Sequence, residues 1–149
     1  MPVGEICNRE VIIMQANEIV SESARLMRNH HVGDVMVVEE RDGIRVPVGI
    51  VTDRDLVVEI MALELDQMAI TVGDIMTSGL ISVPEDVGVF EAIEYMRAKG
   101  VRRLPVVDGK GGLIGILTLD DLLGLLAEEL SDLAKTVKHE QSKERVSRH

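Results

Sequence analysis

The sequence predicts an α/β (α+β) fold: two β-α-β-β-α repeats related by a pseudo-twofold axis, packed sheet to sheet, with a long C-terminal helix. Three observations carry this. Val3-Gly4-Glu5-Ile6 recurs 69 residues later as Val72-Gly73-Asp74-Ile75, and Val11-Ile12, Val20, Met27-Arg28 and Val37-Val38 recur at the same shift. A second pair of segments lies 66 residues apart, Gly49-Ile50-Val51-Thr52-Asp53-Arg54-Asp55 and Gly115-Ile116-Leu117-Thr118-Leu119-Asp120-Asp121. Finally, Leu104 to Val107 and Leu113 to Leu117 are near-continuous apolar runs, as strands covered on both faces should be.

The elements follow in order. In the first repeat a strand is expected at Val11 to Met14 and a helix from about Asn17 to Asn29, with His30-His31 at its end. That His pair suits the negative end of the helix dipole better than a metal. Strands at Val35 to Val38 and Val46 to Val51 flank Asp42-Gly43, which is hairpin turn chemistry. A helix from about Asp53 to Leu65 closes the repeat, and Asp66 to Ile70 is a short connection. In the second repeat Thr71 caps a helical turn over Val72 to Met76, with Asp74 three residues on. Leu80 to Val83 is a short strand ended by Pro84, and a helix runs from Asp86 until Gly100 stops it. Asp108-Gly109 and Gly111-Gly112 mark the second hairpin. The last helix starts at Leu119 and carries five leucines up to Leu130. Expected boundaries are therefore 1–66 and 67–130 for the repeats, with 131–149 a basic helical tail that frays.

Thr52 and Thr118 each stand where a strand ends and a helix begins, with Asp55 and Asp121 three residues inside. Thr-x-x-Asp is a capping box, and a single copy would signify only that. The same junction gathers backbone donors and a positive dipole end, which suits an anion. Its duplication within a longer repeat makes a ligand role worth weighing.

Composition narrows the classes. The 149 residues carry a formal net charge of −10, which disfavours a nucleic-acid surface, and no stretch has the apolar length of a membrane span. From Lys135 onward, Lys135, Lys138, Lys143, Arg145 and Arg148 oppose only Glu140 and Glu144, a net +3 on an otherwise acidic chain. The aromatics are Phe90 and Tyr95 alone, so a core must be aliphatic and ring stacking on a ligand is scarce. Cys7 is the one cysteine, which excludes an internal disulfide and favours a reducing, cytoplasmic compartment. It has no evident His partner. No nucleophile elbow, phosphate-binding loop or zinc spacing is present, so the reading is of a protein that is not an enzyme.

The order of elements, the paired Gly-hydrophobic-hydrophobic-Thr-x-x-Asp segments and the run Val101-Arg102-Arg103-Leu104-Pro105-Val106-Val107-Asp108 together resemble the tandem cystathionine-β-synthase (CBS) domain family, the Bateman module, over about Met1 to Leu130. That resemblance implies adenosyl ligands held in two clefts. Asp55 and Asp121 would take the ribose hydroxyls, and Thr52 and Thr118 the phosphate or ribose. Arg54 would reach phosphate, whereas its counterpart Asp120 could not attract it. The Asp121 cleft would borrow Val11, Ile12, Val32 and Gly33 from the first repeat. The Asp55 cleft would borrow Gly79, Leu80, Ile81 and Val101 from the second. Arg102 and Arg103, which match a basic position of the family, are expected at the rim of the Asp121 cleft and should turn it toward di- and triphosphates.

The function implied is a regulatory module binding AMP, ADP or ATP, with no metal beyond the Mg that accompanies ATP. It would form a homodimer, through apolar arcs on the helices after Asp53 and Leu119, and act on a separate, unidentified effector protein. Two rival readings stand beside it. One is a sensor of S-adenosylmethionine or NAD, and the other is a structural assembly module with empty clefts.

Overall fold

The computed structural model describes residues 1–147. Met1–Leu117 form one compact unit, and a second begins at Thr118 and consists of a single helix. The first repeat contains α1 (Val3–Ile6), β1 (Ile13–Gln15), α2 (Val20–His30), β2 (Asp34–Arg41), β3 (Ile44–Thr52) and α3 (Asp53–Asp55), which continues as a π-helical stretch over Leu56–Met61. The second contains α4 (Val72–Ile75), β4 (Thr77–Ser78), β5 (Val83–Pro84), α5 (Val89–Lys99), β6 (Arg103–Val107), β7 (Leu113–Thr118) and α6 (Leu119–Ser147). One sheet has the order β1-β2-β3-β4 and the other β5-β6-β7.

β2 explains how the sheets stack. Val35 and Val37 face a core with Met14, Val20, Met27, Val51 and Ile60, closed by the π-helical stretch. Met36 and Val38 point the other way, into a layer shared with Ile116 of β7. Period-two alternation in an unbroken apolar run thus fills two cores at once. The β2–β3 hairpin turns at Asp42 and Gly43, both at positive φ, as a two-residue turn of this sequence requires. A bulge between Val37 and Val38 absorbs one residue beside Pro47, which has no N–H to give the ladder.

The short lead-in helices change places. α1 precedes the first repeat but docks on the second: the Val3 and Gly4 N–H groups donate to the Val87 and Glu85 carbonyls at 2.8 Å. α4 precedes the second and docks on the first, with Val72 and Gly73 donating to Glu18 and Ala16 at 2.8 and 2.9 Å. Each donor and each acceptor is 69 residues from its counterpart, so the exchange is itself symmetric. Both glycines are required for the approach. A Cβ on Gly4 would stand 2.9 Å from the Glu85 carbonyl oxygen, and one on Gly73 would stand 2.8 Å from that of Ala16. One turn on, the symmetry holds again, with Cys7 over Gly115 and Met76 over Gly49.

Several expectations are corrected. The strand expected at Val11 to Met14 is Ile13–Gln15, where Ile13 pairs with Met36 in parallel. The strand expected at Leu80 to Val83 shrinks to Val83–Pro84, because only these two residues meet β6. Thr77–Ser78, not foreseen as a strand, adds to β3 opposite Ile50 and Gly49. The helix after Asp53 widens to π geometry, with Ala62 N–H donating to Val57 O at 2.8 Å and Leu65 N–H to Ile60 O at 3.0 Å. Crowding by the β-branched Val57, Val58 and Ile60 disfavours regular α-helical winding there. The long C-terminal helix is a single element over Leu119–Ser147. Arg148 and His149 of the expected tail lie outside the described residues.

Candidate functional site

Thr52 ends β3 and caps the next helix. Asp55 N–H donates to Thr52 Oγ1 at 3.2 Å, and Thr52 N–H donates back to Asp55 Oδ2 at 2.9 Å. The box satisfies two otherwise unpaired helix donors, so one oxygen of Asp55 already has a structural task. At the second junction Asp121 N–H donates to Thr118 Oγ1 at 3.1 Å. Asp120 and Asp121 lie in the first turn of α6, within the second unit.

A cavity of about 210 Å³ opens beside Thr52, lined by Met36, Ile50, Thr77, Leu80, Val101, Arg102, Arg103 and Pro105 as well. Of the residues expected for this cleft, Thr52, Leu80 and Val101 line it. Gly79 and Ile81 flank Leu80 in the chain without lining the cavity, and Arg54 is an exposed residue of α3 outside the lining. Gly79 has φ +69°, and this left-handed turn separates β4 from the segment carrying Leu80. The volume is below the ~300–1,000 Å³ of pockets that engulf drug-sized ligands.

Arg102 and Arg103, expected at the rim of the Asp121 cleft, line the Thr52 cavity. Arg103 Nε donates to Asp34 Oδ2 at 2.9 Å. The two side chains are 36% and 21% exposed, so solvent weakens the pair but does not dissolve it. The reason is geometric: Asp34 starts β2 and Arg103 starts β6, and these equivalent strand starts meet between the stacked sheets.

The residues expected to wall the Asp121 cleft from the first repeat have other neighbours in their own unit. Ile12 and Val32 pack against the Met14–Val51 core. Val11 lines a cavity of about 170 Å³ with Arg9, Arg45 and Leu113. Gly33 lies against the Asp53 carboxylate and accepts the Asp53 N–H at 2.9 Å. Sequence reasoning missed Met36, Ile50, Thr77 and Pro105 as lining groups of the Thr52 cavity. The pairing of β4 with β3, which brings Thr77 in, has no periodic signal in two residues.

Burial raises the Cys7 thiol above its ordinary pKa, with Arg9 opposing, so the folded protein keeps it protonated. Among the described residues no group of His, Cys, Asp and Glu could hold a metal ion, and no helix is long and apolar enough to cross a membrane.

Comparison with known proteins agrees with this geometry. The CBS domain family matches residues 3–62 and 72–128. An uncharacterized protein of Methanopyrus kandleri is 43% identical over 121 residues, covering 81% of this chain, which spans 60% of the length of that relative. The crystal structure of an uncharacterized conserved protein from Pyrococcus horikoshii superposes with a TM-score of 0.72 at 27% identity, over 83% of this chain and 90% of the other. The CBS domain pair of protein MJ0100, solved with 5′-methylthioadenosine and S-adenosyl-L-methionine, gives a TM-score of 0.72 at 26% identity, over 87% and 98%. With the paired sheets, the two Thr-capped junctions and the family match over both repeats, the chain belongs to the CBS domain family and carries two CBS domains in tandem.

Proposed function

We propose that this CBS pair is a regulatory module that binds an adenine nucleotide, AMP, ADP or ATP, in the Thr52 cavity. The observation that carries the reading is the presence in one cavity of a helix-capping Thr52, aliphatic walls and two arginines. Leu80, Val101, Met36 and Ile50 suit the faces of a purine. The dipole end at Thr52 and the guanidinium groups of Arg102 and Arg103 suit phosphate, through forked, charge-assisted bonds. Asp55 is not among the residues lining the cavity, so the reading asks its second oxygen to reach a ribose hydroxyl at the cavity mouth while the first keeps its cap. A further site at Thr118 and Asp121 follows from the duplication, with Asp120 disfavouring phosphate there.

The ligand of MJ0100 supports a second reading, an S-adenosylmethionine sensor. The arginine pair argues against it, because a sulfonium cation gains nothing from two positive neighbours. Binding would bias one arrangement of the module over another and so act on a separate partner protein, and only a difference in affinity between the arrangements can drive that. A homodimer would cover the face that carries Val57 and Met61, which are 52% and 72% exposed.

Titration calorimetry with ATP, AMP and S-adenosylmethionine, on wild type and on Arg102→Ala, Arg103→Ala protein, tests this. ATP should bind wild type and lose at least tenfold in affinity in the double variant. Asp55→Asn, which keeps an oxygen for the cap, should weaken all three ligands. No binding by wild type would leave the assembly-module reading in its place, and binding that neither variant weakens would put the nucleotide outside the Thr52 cavity.

A further inference from the structure

The apolar stripe of α6 has the spacing of a helix-pairing seam. Leu123, Leu126, Leu130, Leu133 and Val137 follow one another at intervals of three, four, three and four residues. That 3-4 spacing is the repeat of a coiled coil, where each apolar side chain inserts between four of a facing helix. The stripe lies largely open to solvent: Leu123, Leu130, Leu133 and Val137 are 57%, 67%, 63% and 54% exposed. The helix of 29 residues carries it without a break, and such an apolar row on a surface helix signals a partner.

Charge selects that partner. Before the midpoint of α6 stand Asp120, Asp121, Glu128, Glu129 and Asp132, with no basic residue among them. After it stand Lys135, Lys138, Lys143 and Arg145 against Glu140 and Glu144. Two parallel copies would set acid beside acid and base beside base. Two antiparallel copies set each acidic half beside the other's basic half and also align the helix dipoles favourably. We propose that α6 pairs with α6 of a second copy as an antiparallel two-helix coiled coil.

The register follows from the stripe. Centring the pair between Ser131 and Asp132 sets Leu130 of each copy opposite Leu133 of the other, and Leu126 opposite Val137. Four consecutive apolar layers result. Ala127 and Ala134 then face each other along one flank, where small side chains allow the helices to approach closely. The seam is built from α6 alone and does not depend on which nucleotide the module binds.

A nitroxide on Ser142→Cys, in a Cys7→Ala background, distinguishes the arrangements. The antiparallel register separates the two labels by ~30 Å along the axis, from ~1.5 Å per residue. A parallel pair would hold them about one interaxial distance apart, ~10 Å plus the label arms. The expected result is an interspin distance near the longer value. It should persist in Val57→Glu, Met61→Glu protein and vanish in Leu130→Glu, Leu133→Glu protein, whose substitutions fall on exposed positions that the fold tolerates. High salt should weaken the association. A short distance, no dipolar signal at 100 µM protein, or a distance unmoved by the Leu130 and Leu133 changes would each overturn the proposal.

Discussion

Arg103 and Asp34 are 69 residues apart, occupy the same position in the two repeats, and are hydrogen-bonded to each other at 2.9 Å. A residue that meets its own counterpart lies on the pseudo-twofold axis. Were the repeats identical there, two like charges would face each other. The duplication has instead diverged to opposite signs here, and the divergence creates a bond.

Charge reversal at this position should be additive only in the wrong combination. Arg103→Asp leaves two carboxylates facing each other and should lower stability by about 1 kcal/mol, the upper range for a pair this exposed. Asp34→Arg combined with Arg103→Asp should recover most of that loss. Urea denaturation of the three proteins measures the coupling, and equal stability of the single and double variants would show that the pair contributes nothing.

The lead-in contacts are less forgiving. Gly73→Ala drives a methyl into the Ala16 carbonyl and Gly4→Ala drives one into that of Glu85. Each should cost ~1–3 kcal/mol, as overpacking of a tight site does. Because Val3 and Val72 are fully buried, displacement of either lead-in should also slow cooperative refolding. Gly124→Ala, with open space around its Cβ, is the control: in mid-helix it should leave the fold intact and raise helix stability by up to ~1 kcal/mol.

His31 and Gly100 terminate α2 and α5 at equivalent positions, with φ of 54° and 65°. Both N–H groups close the last turn, but only the glycine does so without strain. His31→Gly should therefore stabilise the protein by about 0.5–1 kcal/mol, the left-handed penalty less the added entropy of the unfolded glycine. A fall in melting temperature would mean that the imidazole's interaction with the helix end outweighs the backbone term.

Asp108 gives the fold a pH signature. Its carboxylate accepts the Lys110 and Gly112 N–H groups at 2.9 and 3.0 Å, and these bonds hold its pKa below the ordinary value. A depressed folded pKa stabilises the fold above the unfolded value near ~3.9 and loses that increment as pH falls through the folded one. The melting temperature of wild type should thus exceed that of Asp108→Asn at pH 7, and the two should converge toward pH 2. A gap that stays constant over this range would assign the effect to geometry rather than ionisation.

Sequence periodicity sufficed for what is local or repeated. The shift of 69, the Thr52 cap, the Asp42-Gly43 turn and the αL stop at Gly100 depend on residues within a turn of one another. What it could not supply was partnership at a distance. Nothing in Val72-Gly73 says which sheet the segment joins, so the exchange of lead-ins stayed hidden although both halves of it were recognised as a repeat. That Arg102 and Arg103 line the Thr52 cavity was hidden for the same reason. Their motif marked them as basic groups near a cleft, but which cleft depends on how two sheets stack.

The exchange of lead-ins has a consequence for how the chain comes off the ribosome. Everything that completes the first half, up to Met76 over Gly49, has been synthesised before most of the second half exists. The α1 segment, made before either sheet, must wait for Glu85, Val87 and finally Ile116, whose carbonyl accepts the Asn8 N–H at 2.9 Å. Until then its buried Val3 and Cys7 have no site to fill. Vectorial synthesis therefore breaks the symmetry that the finished molecule displays: one half can close early, and the other is sealed by a segment made before both sheets. A transcript truncated after the first half would release a fragment whose own lead-in is unused, free to serve the same groove in a neighbouring nascent chain.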